Sequence, residues 1–400
     1  MIDAYVRRDG RKGIRNVVVV AYLVECAHHV SRHIVNGAGD SQVHLIGFPG
    51  CFPNEYAYRM MSAVCTHPNV GGVLLVSLGC ESMDRDQLLT DIQASGRPAE
   101  LLVIQEAGGT RRTVRAGLEA LARLRAQADL TPRAPMSTSE LVVGTICGGS
   151  DGTSGITANP AVGRCFDRLV ADGAVCIFEE TGELIGCETI MAERAVTPEL
   201  GEEIRACVHK AERYYRIMGF GSFAPGNADG GLTTVEEKSM GAYSKSGSSP
   251  ISGLLKPGDQ APAGGLYLMD VVPDGEPRFG FPNISDNAEI VEMIASGCHL
   301  ILFTTGRGSV VGSAISPVLK VCANPDTYQR MADDMDIDAG RVLKGEASLD
   351  DVGEEIYQRV ISLAQGEPSC SEALGHQEFI LTYKSFEPIG PACLPVRQLV

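Results

Sequence analysis

The chain has 400 residues, 44% hydrophobic, 21% charged and 6% aromatic, a composition that excludes the collagenous, low-complexity and disordered classes. Fifty acidic against 34 basic side chains give a formal charge of −16. That excludes the clustered cations of a nucleic-acid binder but permits one local cationic pocket for a small anion.

The opening MIDAYVRRDGRKG has no apolar signal core, and the longest apolar runs, 17–23 and 71–78, have strand length. A membrane helix needs roughly 18 such residues, so no membrane partner is expected. The 13 cysteines form no CxxC pair, and the expectation is reduced thiols in the cytoplasm. Residues 1–130 alternate regularly between β-branched runs and segments of helical spacing. Strand 17–24 precedes helix 26–35, 43–48 precedes 54–65, 73–78 precedes 85–95, and 101–105 precedes 111–128. Apolar runs bounded by glycine read as strands buried on both faces, as in a parallel sheet. Between them, residues such as Val114, Leu118 and Leu121 recur at helical spacing. Four β-α units predict a Rossmann-like α/β domain over 1–130.

The stretch DLTPRAPMSTS (129–139), with two prolines and a Ser/Thr cluster, predicts a boundary. A larger α/β domain over 138–390 is expected to follow. It opens with strand 141–146, a glycine-rich loop, helix 161–171, strand 174–178, an acidic loop and helix 198–218. Residues 219–287 are rich in Gly, Ser and Pro without a period, a composition suited to lining a site. Helix 287–295, strands 300–304 and 318–321, and helices near 325–335 and 349–365 complete the order.

In open parallel sheets, ligands gather beyond the carboxyl ends of the strands. In the first domain those ends carry Cys26, Cys51 and Cys80, near helix starts that favour thiolates. Three thiolates with one open coordination position suit a catalytic iron or iron–sulfur centre. The competing reading makes each a small apolar residue at a crowded turn. In the second domain the loop CGGSDGTSGITANP (147–160) crowds Ser150, Asp151, Ser154, Thr157 and Asn159 onto a glycine-rich backbone. Such a loop can cradle a carboxylate or polyol, or it can be a tight turn capped by Asn159. It has neither GxGxxG nor GK[ST]. The acidic stretch EETGELIGCE (179–188) offers Glu179 and Glu183 for proton transfer or for a divalent cation, unless it is simply solvated. Lys238 in GGLTTVEEK and Arg307 in TTGRG can grip a carboxylate or stand as surface cations. His28 is a second-line candidate, and Arg15 and Asn16 precede the first strand at its opposite end.

Together these stretches resemble the altronate/galactarate dehydratase family. The matching segments are RDGRKGIRN (8–16), HPNVGG (67–72), SLGCE (77–81), QEAGG (105–109), the glycine loop from Cys147, GGLTTVEEK and TTGRG, in order up to GHQEF (375–379). The resemblance implies loss of water from a sugar acid such as altronate or galactarate, giving a 2-keto-3-deoxy acid. It also implies iron, as iron(II) or an iron–sulfur cluster, or another divalent metal. Family members often carry a small SAF domain, for which no stretch here reads. A separate small SAF-domain subunit is therefore an expected partner, beside a hydroxy-acid substrate and further copies of the chain in a homo-oligomer. The related (2R)-sulfolactate sulfo-lyase large subunit provides the alternative of C–S cleavage, and a non-catalytic small-acid-binding subunit is the third reading. On the dehydratase reading the metal sits at Cys26, Cys51 and Cys80, or alternatively at the acidic loop. Arg307 or Lys238 then holds the carboxylate, and Ser150, Ser154 and Asn159 contact the substrate. Asp151, Glu179 or Glu183 contacts hydroxyls or moves the proton.

Overall fold

The structure, a computed structural model, describes residues 1–219, 225–277 and 285–386. Residues 220–224, 278–284 and 387–390 of the domain expected over 138–390 lie outside the described residues. The chain forms two compact units. The first comprises Tyr5–Pro132 with the described parts of Pro273–Asn283 and Phe379–Val400. Met1–Ala4, Arg133–Val272 and the described part of Ile284–Glu378 form the second. The main division thus falls inside the proline-containing stretch 129–139.

In the first unit, strands β1 (Val17–Tyr22), β2 (Val43–Gly47), β3 (Val70–Ser77) and β4 (Ala99–Val103) form a parallel sheet in the order β2-β1-β3-β4. Every residue of β3 is buried. Helices α1 (Glu25–Ala38), α2 (Glu55–Cys65), α3 (Arg85–Ala94) and α4 (Thr110–Ala128) connect or follow these strands. Asn54 and Asp84 cap α2 and α3 by accepting the amides of Ala57 and Gln87. On one face Val18, Val20, Leu74 and Val76 pack with Val30 and Ile34 of α1 and Leu121 and Leu124 of α4. Each such side chain stabilises the fold by roughly 1.5–3 kcal/mol through removal from water. A Cβ at Gly117 would lie 2.5 Å from Ile34 Cδ1, so glycine there permits the close approach of α1 and α4. Strand β4 stops two residues short of the expected 105, because Ile104–Ala107 turns into one helical turn ended by Gly108 at φ 86°.

The second unit is a wider parallel sheet. Its strands are β5 (Val142–Cys147), β6 (Val175–Phe178), β7 (Ile251–Leu255), β8 (Gly265–Met269), β9 (Leu300–Thr305), β10 (Val318–Cys322) and β11 (Ile337–Asp338). Their order is β7-β8-β6-β5-β9-β10-β11. The chain winds outward from β5 through β6, then returns to lay β9 on the other side of β5. The connections after β5 and β9 therefore diverge, which is where open sheets bind ligands. The main helices are α5 (Ala158–Ala171), α6 (Pro198–Met218), α7 (Val235–Ser244), α8 (Asp286–Ala295) and α9 (Leu349–Ala364). Arg168 of α5 lies 3.8 Å over the ring of Tyr357 of α9, joining these two helices. Strands β7 and β8 and helix α7 fall in the region 219–287 that showed no period. ISGLL and GLYLM are short runs without alternation, so pattern alone does not identify them. Among the described residues no helix is long and apolar enough to cross a membrane.

Candidate functional site

Strand β5 ends at Cys147, buried beneath the glycine loop. The loop is stitched to the one after β9: Gly148 N donates to Thr304 O, and Gly149 O accepts from Gly306 N and Arg307 N. Asp151 organises it further. Its Oδ1 accepts from Thr153 N at 2.9 Å and Thr153 Oγ1 at 2.6 Å, and its Oδ2 accepts from Asn324 Nδ2 at 3.0 Å. A Cβ at Gly306 would fall 2.1 Å from Asp151 Oδ1, so this carboxylate sits where any side chain at 306 would go.

Strand β6 delivers Glu179 and Glu180 to the same edge. Glu180, at φ 77°, is the one non-glycine residue with positive φ among the described residues. That conformation costs roughly 1–2 kcal/mol and marks a position held by its surroundings. The turn sends its carboxylate back onto β5. Cys147 N donates to Glu180 Oε2 at 3.2 Å, and Cys147 Sγ lies 3.2 Å from Glu180 Oε1 and 3.3 Å from Glu183 Oε2. Ser150 Oγ donates to the same sulfur at 3.3 Å. Helix α7 supplies the cations. Lys238 Nζ lies 3.1 Å from Cys147 Sγ and pairs with Glu183, while Lys245, two helical turns on, pairs with Glu180. Both lysines are buried.

These contacts separate the protonation states. Burial, with Glu180 and Glu183 beside it, pushes the Cys147 thiol up to about 12. Burial and the charge of Glu183 raise Glu180 to about 7. Burial also works against ionised Glu183, but Lys238 and Lys245 hold it below its ordinary value. Glu179 is raised well above its ordinary value by burial, then by Glu289 and Glu180. Its Oε2 accepts from Glu180 N at 2.5 Å, and its Oε1 has no hydrogen-bond partner among the described residues. Two carboxylates and two ammoniums thus balance in a dry setting, where removing one partner leaves the other charge buried.

Among the described residues, Cys147, Glu180 and Glu183 form the one group of three or more potential metal ligands whose atoms all lie within 4.8 Å of one another. A thiol with two carboxylates is a donor set for a borderline divalent ion such as iron(II). Because each carboxylate already holds an ammonium, an ion enters only as those ammoniums leave or lose protons, so loading is coupled to pH.

The structure therefore gathers Ser150, Glu183 and Lys238 around Cys147, with Glu179 adjoining Glu180. Asp151 and Ser154 brace the loop, Ser154 Oγ accepting from Asp151 N at 3.0 Å. Asn159, on the first turn of α5, donates to Gly241 O at 2.9 Å and ties α5 to α7. Arg307 is exposed on the loop after β9, its Nη1 donating to Gly226 O. Cys26, Cys51 and Cys80 are exposed beyond β1, β2 and β3 in the first unit, where His28 of α1 pairs with Glu25 at 2.8 Å. Sequence reasoning passed over Cys147 as a ligand, Glu180 and Lys245. The position of Cys147 at a strand end and the seven-residue step from Lys238 to Lys245 were available signals. Nothing in four neighbouring carboxylates tells which one turns inward.

Residues 4–129 match the family model "D-galactarate dehydratase/Altronate hydrolase, second domain", and residues 138–386 match "D-galactarate/Altronate dehydratase, C-terminal". The (2R)-sulfolactate sulfo-lyase subunit beta of Chromohalobacter salexigens is 32% identical over 396 residues, covering 94% of this chain and 96% of that protein. The altronate dehydratase of Escherichia coli is 29% identical over 399 residues, covering 95% of this chain and 77% of that enzyme. The galactarate dehydratase (L-threo-forming) of Escherichia coli is 33% identical over 322 residues, covering 77% of this chain and 59% of that enzyme.

Proposed function

The chain belongs to the D-galactarate/altronate dehydratase family, and from that premise we propose that it is a hydro-lyase converting a sugar acid such as altronate or galactarate to a 2-keto-3-deoxy acid. In this reaction the C2–H bond breaks, the C3 hydroxyl leaves as water, and the resulting enol tautomerises to the 2-keto acid. It requires a proton acceptor at C2, a proton source at C3 and positive charge beside the carboxylate as the enediolate develops.

One observation carries this reading: the buried group of Cys147, Glu180, Glu183, Lys238 and Lys245 at the carboxyl ends of β5 and β6. Ionised Glu183 suits proton acceptance. Glu179 and Glu180 hold their protons more tightly and suit donation near neutral pH. Lys238 and Arg307 supply the positive charge. Where Cys147, Glu180 and Glu183 instead hold a divalent ion such as iron(II), the two carboxylates serve as ligands, Glu179 is left to move the proton, and the bound ion would lend Lewis acidity to a departing hydroxyl.

A second reading has its own support, because the sulfo-lyase subunit is matched over 96% of its length. On that reading the C3 substituent is a sulfonate and leaves as sulfite. The word "subunit" in that relative's name supports a second, different subunit here too. The twelve described cysteines are all free thiols, which supports a reducing compartment such as the cytoplasm.

Anaerobic protein with iron(II), with and without a candidate small subunit, is to be offered aldonic acids, aldaric acids and sulfolactate. A 2-keto acid without sulfite supports dehydration, and a 2-keto acid with sulfite supports the second reading. Ligand-induced thermal stabilisation without any 2-keto acid would leave a binding subunit and overturn both.

A further inference from the structure

We propose that the first unit carries a binding site for a small polyhydroxylated anion, in a pocket at the amino ends of β3 and β4 lined by Arg7, Arg8 and Arg97. The inference goes beyond the reading of the substrate and rests on this unit alone. The pocket encloses about 470 Å³, within the roughly 300–1,000 Å³ of small-molecule sites. Its lining falls between Val6 and Pro132 and so belongs wholly to the unit of Tyr5–Pro132. It sits at the edge of the sheet opposite the cysteine turns.

The charge there is one-sided. Three guanidiniums line the pocket and, among the described residues, no acid does, in a chain whose formal charge is −16. Asp9 stands nearby but is already shared by Arg11 at 2.7 Å and Arg97 at 3.2 Å. Arg7 and Arg97 are both buried. Arg7 donates to Pro68 O at 2.7 Å, Asn16 Oδ1 at 2.8 Å and Arg15 O at 3.0 Å. All three acceptors are neutral, and they use three of its five N–H donors. Burial, and then the charge of Arg97, pull the Arg7 guanidinium down to about 9, and burial pulls Arg97 down to about 10 despite Asp9. An anion in the pocket relieves both the desolvation and the mutual repulsion.

Arg8 completes the set from the rim. It is exposed and has no hydrogen bond or ion pair among the described residues. Gly96, at φ 82°, makes room for it: a Cβ there would lie 2.4 Å from Arg8 Cβ and Cδ, so the arginine lies across the turn that follows α3. Arg97 meanwhile covers carbonyls that would repel an anion, those of His67, Val70 and Ser95, at between 3.1 and 3.4 Å. Such guanidiniums grip a phosphate or carboxylate through paired N–H donors. The volume exceeds what one such group fills, and the lining adds the amide of Gln127 and the hydroxyl of Thr131, which suit the hydroxyls of a ligand. The stretch RDGRKGIRN (8–16), to which the group around Cys147 gives no role, supplies Arg8 and the Asp9–Arg11 pair.

The test titrates the full chain by calorimetry with glucose-6-phosphate, with galactarate and, as the uncharged control, with sorbitol. In parallel, phenylglyoxal modification of Arg8 is followed by peptide mass mapping. At least one of the two anions should bind and shield Arg8, sorbitol should not, and added salt should weaken the binding. Preference for the sugar phosphate identifies a phosphate ligand, and preference for galactarate a carboxylate. Arg8→Ala should weaken binding about tenfold to a hundredfold, and Arg8→Glu should abolish it. The site is overturned if neither anion shields Arg8, if sorbitol binds as well, or if Arg8→Glu binds as tightly as the unaltered chain; the arginines then only brace carbonyls. Galactarate binding that leaves Arg8 unshielded belongs to another site and counts against this one. Should a variant not fold, shielding in the unaltered chain decides. None of these readouts depends on turnover, so a failed substrate panel leaves them standing.

Discussion

At the carboxyl edge of the first sheet, Cys26, Cys51 and Cys80 stand in solvent on turns held by backbone hydrogen bonds; at the carboxyl edge of the second, Cys147 is sealed among Glu180, Glu183, Lys238 and Lys245. Both edges follow the rule that loops beyond strand ends carry the chemistry. They differ in who supplies the counter-charge. The exposed thiols face solvent. The buried thiol sits in a group whose charges already cancel, so its protons are placed by the protein itself.

The sharpest way to break this contrast is to remove one charge from the buried group. Lys245→Met leaves Glu180 buried and unpaired, and urea unfolding should show a loss of about 3–5 kcal/mol. Lys245→Met with Glu180→Gln should recover most of it. A double variant as unstable as the single one would show that the pair is not the cause. Gly306→Ala probes the loop beside it, pressing a methyl group onto Asp151. It should cost roughly 1–3 kcal/mol, and Cys26→Ser, in the open edge, much less. Equal melting temperatures for Gly306→Ala and the wild type would remove Asp151 as the brace of the loop.

The pH dependence sharpens the comparison. Glu180 binds its proton more tightly folded, at about 7, than unfolded, near 4.5. Its contribution to stability is therefore complete below about 4.5 and lost as pH rises through about 7. Glu183 has the opposite sign, its contribution present above its unfolded value and lost on acidification. Thermal unfolding from pH 4 to 8 should show the Glu180 component, and Glu180→Gln should remove it. The smallest effect is one of order: in metal-free protein, iodoacetamide should label Cys26, Cys51 and Cys80 before Cys147, read by peptide mass mapping. Early labelling of Cys147 would contradict its burial.

Legibility in the sequence followed the same contrast. β1 and β3 are long β-branched or leucine-rich runs flanked by glycine, and such runs announce a buried parallel sheet. The three cysteines at their ends were visible once the strands were. β7, β8 and α7 were not, because short apolar runs in a Gly- and Ser-rich region carry no period. Glu183 and Lys238 could be named from motif stretches, but Glu180 and Lys245 depend on a left-handed turn and on the facing of α7, which only the folded chain supplies. Asp151, named as an acid–base candidate, accepts from Thr153, Ser154 and Asn324, and that bracing of the loop is visible only in the folded chain.

The most direct test of the central claim is the rate of 2-keto acid formation by Lys238→Met on the acid that the panel identifies, with native circular dichroism as the check on folding. The buried group on the second sheet predicts a fall of at least about a hundredfold. A rate equal to that of the unaltered chain would contradict it and place the chemistry elsewhere.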